Sequence, residues 1–162
     1  MDKLPKKPIN IPEAKQKLEY YCGYQERCHQ EVTSKLFELC MNEVERNEII
    51  VYLIDNNFLN ETRFACAFAR GKHRIKSWGK IRIVNELKFR KISAYNIKKA
   101  LQEISSEEYN ATFHKLADNH WENMCENNSL KKRKRFCDFL LRKGFESNLV
   151  YEKIKDLESL TS

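Results

Sequence analysis

Glycine and proline are scarce in this chain, at four and three among 162 residues, and two of the prolines fall before residue 10. A sheet protein of this length needs both at its turns, so their scarcity, beside abundant Lys, Glu and Leu, favours an all-α fold. No run approaches the roughly 18 apolar residues of a membrane span, so no membrane association is expected. Met1 to Pro12 also lacks an apolar stretch that could serve as a secretory leader. The six cysteines (Cys22, Cys28, Cys40, Cys66, Cys125 and Cys137) therefore read as reduced thiols of a cytoplasmic protein. Cys40, Cys66 and Cys137 fall within or beside apolar stripes and read as small core residues.

Catalytic and metal signatures are missing too. No C-x-x-C pair occurs, Cys28 and His29 are adjacent, and Cys22 lies six residues before Cys28, none of which suits a zinc site. There is no G-x-S-x-G, P-loop or H-E-x-x-H motif. His29, His73, His114 and His120 have no companion nucleophile at a recognisable spacing. No catalytic residue, metal or cofactor is expected, and the chain reads as a non-enzyme. Tyr109, Phe113 and Trp121 stand at helical spacing, which favours core packing over a base-stacking platform.

Acid is missing from one long stretch. From Arg63 to Lys99 there are twelve Lys or Arg and one acid, Glu86, a balance of +11 against +7 for the whole chain, so the remainder sums to −4. Five consecutive cations follow at Lys131 to Arg135. A stretch so poor in acid forgoes i to i+4 Glu–Lys support and repels itself, which points to phosphates or an acidic protein surface as partner. Neutralising about six phosphates would make log K fall with log salt at a slope near −5.

A three-fold echo organises the apolar residues. Leu36-x-x-Leu39, Val84-x-x-Leu87 and Cys137-x-x-Leu140 are each followed ten residues later by an aliphatic anchor and four later by another: Ile49 and Leu53, Ile97 and Leu101, Val150 and Ile154. A period near 50 predicts a helical repeat that presents an extended, curved surface. The expected organisation is a flexible lead over 1–12, repeats over 13–59, 60–105 and 106–158, and a tail over 159–162. Three helices are expected in each repeat. They run Glu13 to Gln25, Cys28 to Leu39 and Glu43 to Asp55; Glu61 to Lys76, Gly79 to Arg90 and Ser93 to Ile104; Ser106 to Cys125, Ser129 to Lys143 and Glu146 to Leu157.

The connectors supply punctuation. Asn56-Asn57 suits a left-handed helix end, Ser93 and Ser129 suit N-caps, and Gly144 suits a position just past a helix end. Lys91 occupies the matching place in the second repeat, where a non-Gly residue at positive φ costs about 1 kcal/mol, so a differently built turn is expected there. Projected at 100° per residue, Phe64, Phe68 and Ile75 form a buried stripe while Arg63, Arg70 and Arg74 share another face. Likewise Phe136, Cys137, Leu140 and Leu141 face the core, and Lys131, Arg135 and Arg142 point away from it.

At the second repeat the residues resemble a known family. Leu53-Ile54-Asp55-Asn56-Asn57-Phe58-Leu59-Asn60-Glu61-Thr62-Arg63-Phe64-Ala65, then Arg70, Lys72, Arg74, Ser77-Trp78-Gly79, Arg82-Ile83 and Glu86-Leu87, resemble the core signature of the RecX regulatory proteins. Ser77 and Lys91 stand where that signature has glycine. Arg27, Glu31 and Lys35-Leu36 resemble the family's N-terminal element, with Cys28 in place of its Ser and Val32 in place of its Leu. Lys134-Arg135-Phe136 with Phe139-Leu140-Leu141-Arg142-Lys143-Gly144-Phe145 is similar to its C-terminal element.

The resemblance implies a monomer of three tandem three-helix units that binds the RecA recombinase filament on DNA. It further implies inhibition of ATP hydrolysis, strand exchange and filament growth, with consequences for homologous recombination, DNA repair and the SOS response. Candidate contacts are Arg63, Arg70, Lys72, Arg74, Lys76, Lys80 and Arg82, extended by Lys131, Arg135 and Arg142. Weak, mainly electrostatic binding to single- and double-stranded DNA is expected alongside. Two other readings stay open: a direct DNA-binding helical protein that uses Gly79 to Arg90 as a recognition helix, and a helical adaptor for an acidic protein partner.

Overall fold

The computed structural model describes residues 8–162, which contain nine α-helices and no strand. They are α1 (Ile11–Tyr24), α2 (His29–Glu38), α3 (Glu43–Asp55), α4 (Glu61–Lys76), α5 (Lys80–Phe89), α6 (Ala94–Leu101), α7 (Ser106–Glu122), α8 (Ser129–Lys143) and α9 (Ser147–Thr161). The all-α expectation holds, and α3, α4 and α8 start and stop where the sequence pattern places them. Residues 1–7 of the expected flexible lead lie outside the described residues. The chain divides into two compact units, one ending at Ala67 and one spanning Phe68–Ser162, with the division inside α4.

Side-chain caps explain most helix starts. Asn10 Oδ1 accepts from Glu13 N–H at 2.9 Å, so α1 begins at Ile11, two residues ahead of expectation, with Pro12 in its first turn. Asn42 and Glu45 cap each other's backbone at 2.9 Å and start α3. Ser93 caps α6 as expected, through Asn96 N–H at 3.3 Å. Ser129 does not cap α8, because Asn128 stands one residue earlier and accepts from Lys131 N–H at 3.0 Å. At α2 the residue before the helix is Cys28, whose N–H donates to Glu31 Oε2 at 2.8 Å. The Cys28 thiol accepts from Glu31 N–H in return, so the capping box is complete with sulfur in place of a hydroxyl.

The same helix ending closes α2, α5 and α8, and α3 ends likewise, with Phe58 N–H on Leu53 O at 2.8 Å after the left-handed Asn57 (φ 61°). Met41 N–H donates to Leu36 O at 3.2 Å, Ile92 N–H to Leu87 O at 3.1 Å and Phe145 N–H to Leu140 O at 3.2 Å. The residues before them, Cys40 (φ 59°), Lys91 (φ 59°) and Gly144 (φ 96°), are all left-handed. This is the Schellman ending, and both of its end residues are buried apolar side chains in each of these three turns. The turn at Lys91 is therefore built like the one at Gly144, contrary to expectation, and Lys91 simply bears the left-handed backbone. The turns also correct the first register: Leu36, rather than Leu39, corresponds to Leu87, and Leu36 is fully buried while Leu39 is half-buried.

In the first unit, Ala14, Leu18 and Cys22 descend one face of α1 at four-residue steps and meet Val32, Leu36, Met41, Ile49, Leu53 and Leu59. α1, α2 and α3 pack on one another around this cluster. In the second unit, α5 packs on α6, α7 on α8 and α8 on α9. Aromatic rings fill its centre: Tyr109 and Phe113 each meet Phe145, with centroids 5.5 and 5.1 Å apart, and Trp121 meets Phe136 edge-on at 5.5 Å. Tyr109, Phe113 and Trp121 are buried, as their spacing predicts. Fully burying one such side chain is worth about 1.5–3 kcal/mol.

The stripe expected on α4 is corrected in detail. Its buried residues are Phe64, Ala65, Ala69 and His73, whereas Ile75 is 79% exposed. Small residues at Ala65 and Ala69 turn the buried face by one position, and Ile75, about 200° round the helix from His73, then faces solvent. Cys40 is corrected as well: it sits exposed in the left-handed turn after α2, while Cys22, Cys28 and Cys137 are the buried thiols. Burial pushes the Cys22 thiol up to about 11.

Candidate functional site

Arg63, Arg70 and Arg74 do not form a bare ridge, because each is met by a carboxylate from outside the acid-poor stretch. In the first unit Arg63 donates to Glu26 Oε1 at 2.6 Å and grips the end of α3 through Asn57 Oδ1 at 3.0 Å and Asn57 O at 2.9 Å. In the second, Arg70 reaches Glu103 at 2.9 Å, and Arg74 holds Glu108 through two bonds of 2.7 and 3.3 Å. The Arg74 guanidinium keeps the Glu108 carboxyl below its ordinary value. Arg135 pairs with Glu126 at 3.3 Å.

Other candidates cover aromatic faces. Phe68 and Trp78 meet edge-on with centroids 6.2 Å apart. Lys72 Nζ lies over both rings at 5.4 and 5.0 Å, Arg82 over Trp78 at 4.1 Å and Arg90 over Phe68 at 4.8 Å. Such contacts are worth about 0.5–1 kcal/mol each where exposed, so these side chains add packing as well as charge. Lys80 Nζ covers the Tyr109 ring at 4.6 Å.

Lys76, Arg82 and Arg142 gather with Lys143 where the end of α8 meets the start of α5. Gly79 N–H donates to Lys143 O at 2.8 Å and Ile81 N–H to Gly144 O at 3.0 Å, so the unpaired donors of one helix satisfy the unpaired carbonyls of the other. Lys80 N–H is taken by Tyr109 Oη at 3.0 Å, and that hydroxyl donates to Glu146 at 2.7 Å. Burial first, and its bond to Glu146 beside that, raise the Tyr109 phenol well above its ordinary value. Around this joint, Arg82 Nη1 donates to Arg142 O at 3.3 Å and Lys143 Nζ to Lys76 O at 2.9 Å.

Lys76, Arg82 and Lys143 thus surround one joint, with Arg142 exposed beside it. Burial first, then the Arg82 and Lys76 charges, push the Lys143 ammonium below its ordinary value. Like charges crowded in this way favour an incoming anion. Lys143 belongs to the site although the sequence pattern did not single it out; its signal is the Arg142-Lys143-Gly144 run that ends α8. Lys131 is exposed at the far end of α8 and takes no part in the joint.

Among the described residues no group of three or more His, Cys, Asp or Glu is arranged to hold a metal ion, and no helix is long and apolar enough to cross a membrane. His73 is fully buried, stacked on Tyr109 at 5.4 Å. Its Nδ1 is 2.9 Å from Trp78 O, which makes Nδ1 the N–H donor, and its Nε2 has no hydrogen-bond partner among the described residues. It therefore packs the turn after α4 instead of presenting a base to a substrate.

Comparison with known proteins bears out the resemblance read from the motifs. Residues 60–101 match the family model described as RecX, second three-helix domain. The chain is 30% identical over 142 residues to Regulatory protein RecX of Lactococcus lactis subsp. cremoris, covering 86% of this chain and 53% of that one. It is 23% identical over 138 residues to Regulatory protein RecX of Bacillus cytotoxicus, covering 85% and 51%. The chain thus spans about half the length of the curated relatives it matches. Two solved structures share its fold at 24% identity. A crystal structure of regulatory protein RecX has a TM-score of 0.79 over 90% of this chain and 73% of that one, and RecX from Lactobacillus salivarius has 0.76 over 91% and 96%.

Proposed function

We propose that this chain, whose residues 60–101 match the RecX second three-helix domain, is a non-enzymatic cytoplasmic regulator that binds the RecA–DNA filament as a monomer. In this reading it suppresses recombinase ATP hydrolysis, strand exchange and filament growth, and so tempers homologous recombination, DNA repair and the SOS response. The observation that carries it is the crowd of Lys76, Arg82 and Lys143 at the α5–α8 joint, whose mutual repulsion an acidic group or phosphate of the filament would relieve. Arg142 and Lys131 extend that contact along α8, and Lys80 extends it toward Tyr109. Arg63, Arg70, Arg74 and Arg135 enter it with carboxylates already attached, so a contact through them exchanges Glu26, Glu103, Glu108 or Glu126 for a group on the filament. Lys72 contributes from its place over the Phe68–Trp78 pair.

A regulator that touches neighbouring recombinase subunits holds one relative orientation of them, and a ligand that prefers one state shifts the filament toward it. DNA contributes through phosphates, with weak binding to the free nucleic acid. The rival in which α5 reads bases has a physical obstacle: the α5 N-terminus is engaged by Lys143 O and Gly144 O, and Arg82 lies over Trp78.

The test is an ATPase titration of recombinase on single-stranded DNA, with binding to bare DNA measured at the same salt. Inhibition at substoichiometric protein, reduced by Lys76→Glu with Arg142→Glu, is the expected result. Tight sequence-dependent binding to bare duplex would favour the direct DNA-binder. No effect on the filament and no DNA binding would leave the adaptor reading.

A further inference from the structure

The turn from α5 to α6 exposes two aromatic rings among lysines. Phe89, the last residue of α5, is 74% exposed, and Tyr95, the second residue of α6, is 66% exposed. The two helices pack together, so both rings belong to one hairpin. Lys88, Lys91 and Lys98 are exposed, and none has a carboxylate within ion-pair distance among the described residues. Glu86, the acid nearest Lys88 and Lys91 in sequence, is held by Arg90 at 2.8 Å. Lys99 Nζ lies over the Tyr95 ring at 4.8 Å.

A second observation concerns Lys91 alone. Its φ of 59° keeps it in the left-handed region, at a conformational cost that glycine would avoid, as Gly144 does in the matching turn. The strained position therefore carries an exposed cation in the turn of the hairpin.

We propose that the α5–α6 hairpin is a binding site for single-stranded nucleic acid, with bases stacked on Phe89 and Tyr95 and phosphates met by Lys88, Lys91 and Lys98. A single strand answers both features with one repeating unit, because every nucleotide brings a phosphate and a flat face. A duplex closes its base faces inside the stack, so it engages the lysines and leaves the rings unused. The site lies apart from the α5–α8 joint and adds a stacking component to DNA binding that the charge pattern treats as electrostatic.

The experiment is fluorescence anisotropy with a labelled oligothymidylate and a duplex hairpin of equal charge, at fixed salt and without recombinase. Phe89→Ala with Tyr95→Ala should weaken the single strand about tenfold or more, in line with the loss of one or two stacked bases, and leave the duplex within about twofold. Lys91→Gly should weaken both and make the single-strand salt dependence shallower by about 0.7, the loss of one phosphate contact, while the protein unfolds at no lower temperature. Unchanged single-strand binding by the double variant, equal loss on strand and duplex, or competition by polyglutamate as effective as that of unlabelled oligothymidylate would overturn the proposal. Because recombinase is absent, such a failure leaves filament regulation standing, and loss of ATPase inhibition with intact strand binding would do the reverse.

Discussion

Gly79 and Gly144 are in backbone contact, joined through the 2.8 Å bond from Gly79 N–H to the carbonyl of Lys143. A Cβ on Gly79 would lie 2.3 Å from the carbonyl carbon of Gly144, and one on Gly144 would lie 2.3 Å from Arg82 Cβ. Two helix ends from distant parts of the chain can satisfy each other only at this separation, so both positions exclude a side chain. Gly79→Ala and Gly144→Ala should each cost about 2–4 kcal/mol, with Gly144 bearing an added share from its φ of 96°. Urea unfolding of the single variants checks this, and a loss under about 1 kcal/mol at both sites would contradict the close contact.

The left-handed residues Cys40 and Lys91 invite the opposite change. Each closes a turn built like the one at Gly144, and each bears the crowding of a Cβ at φ 59°. Cys40→Gly and Lys91→Gly should therefore stabilise by about 0.5–1 kcal/mol, less whatever the more flexible unfolded chain takes back. A lowered midpoint in both variants would mean that the side chains contribute contacts which outweigh the backbone strain.

Arg63 differs from its neighbours Arg70 and Arg74 in what it holds. It ties Glu26 to the Asn57 turn, while Glu26 Oε2 is buried without a hydrogen-bond partner among the described residues. Removing Arg63 leaves that carboxylate without its cation and frees the left-handed Asn57. Arg63→Ala should cost about 1–3 kcal/mol, against less than about 1 for Arg70→Ala, whose single bond to Glu103 is half-exposed. Equal losses at the two sites would reduce Arg63 to an ordinary surface pair.

The helices were legible because their signals are local. Asn42, Asn128 and the left-handed Asn57 mark the boundaries of α3 and α8 within a few residues of the apolar pattern they serve. The register of the first repeat was misread because Leu36 and Leu39 both suit a helical stripe, and only the bond from Met41 to Leu36 shows which one ends the turn. Ile75 fails similarly, since an apolar residue one position off the stripe looks the same in sequence as one on it. What sequence could not reveal is long-range: Glu26, Glu103 and Glu108 reach arginines 33 to 37 residues away, and Lys143 joins Lys76 across 67 residues. Charge counting along the chain therefore overstated the bareness of Arg63, Arg70 and Arg74 and missed Lys143.

Lys143 makes the anion affinity of the α5–α8 joint measurable. Its folded value is lowered, by burial first and then by Arg82 and Lys76, so its positive charge is less favourable in the folded chain than in the unfolded one. That penalty is present in full at neutral pH, where both states carry the charge. It fades as pH rises through the lowered folded value toward the ordinary 10.5, so this group alone makes stability climb in that window. A bound anion should remove the penalty without a pH change. Phosphate at about ten times its dissociation constant should stabilise the protein by about 1.4 kcal/mol over chloride at equal ionic strength. Lys143→Met should lose most of that gain, because general salt effects act on both proteins alike while the joint exists with its full charge only in the parent. Thermal unfolding in the two buffers decides it, and an equal phosphate effect on parent and variant would show that the three cations do not act as one anion site.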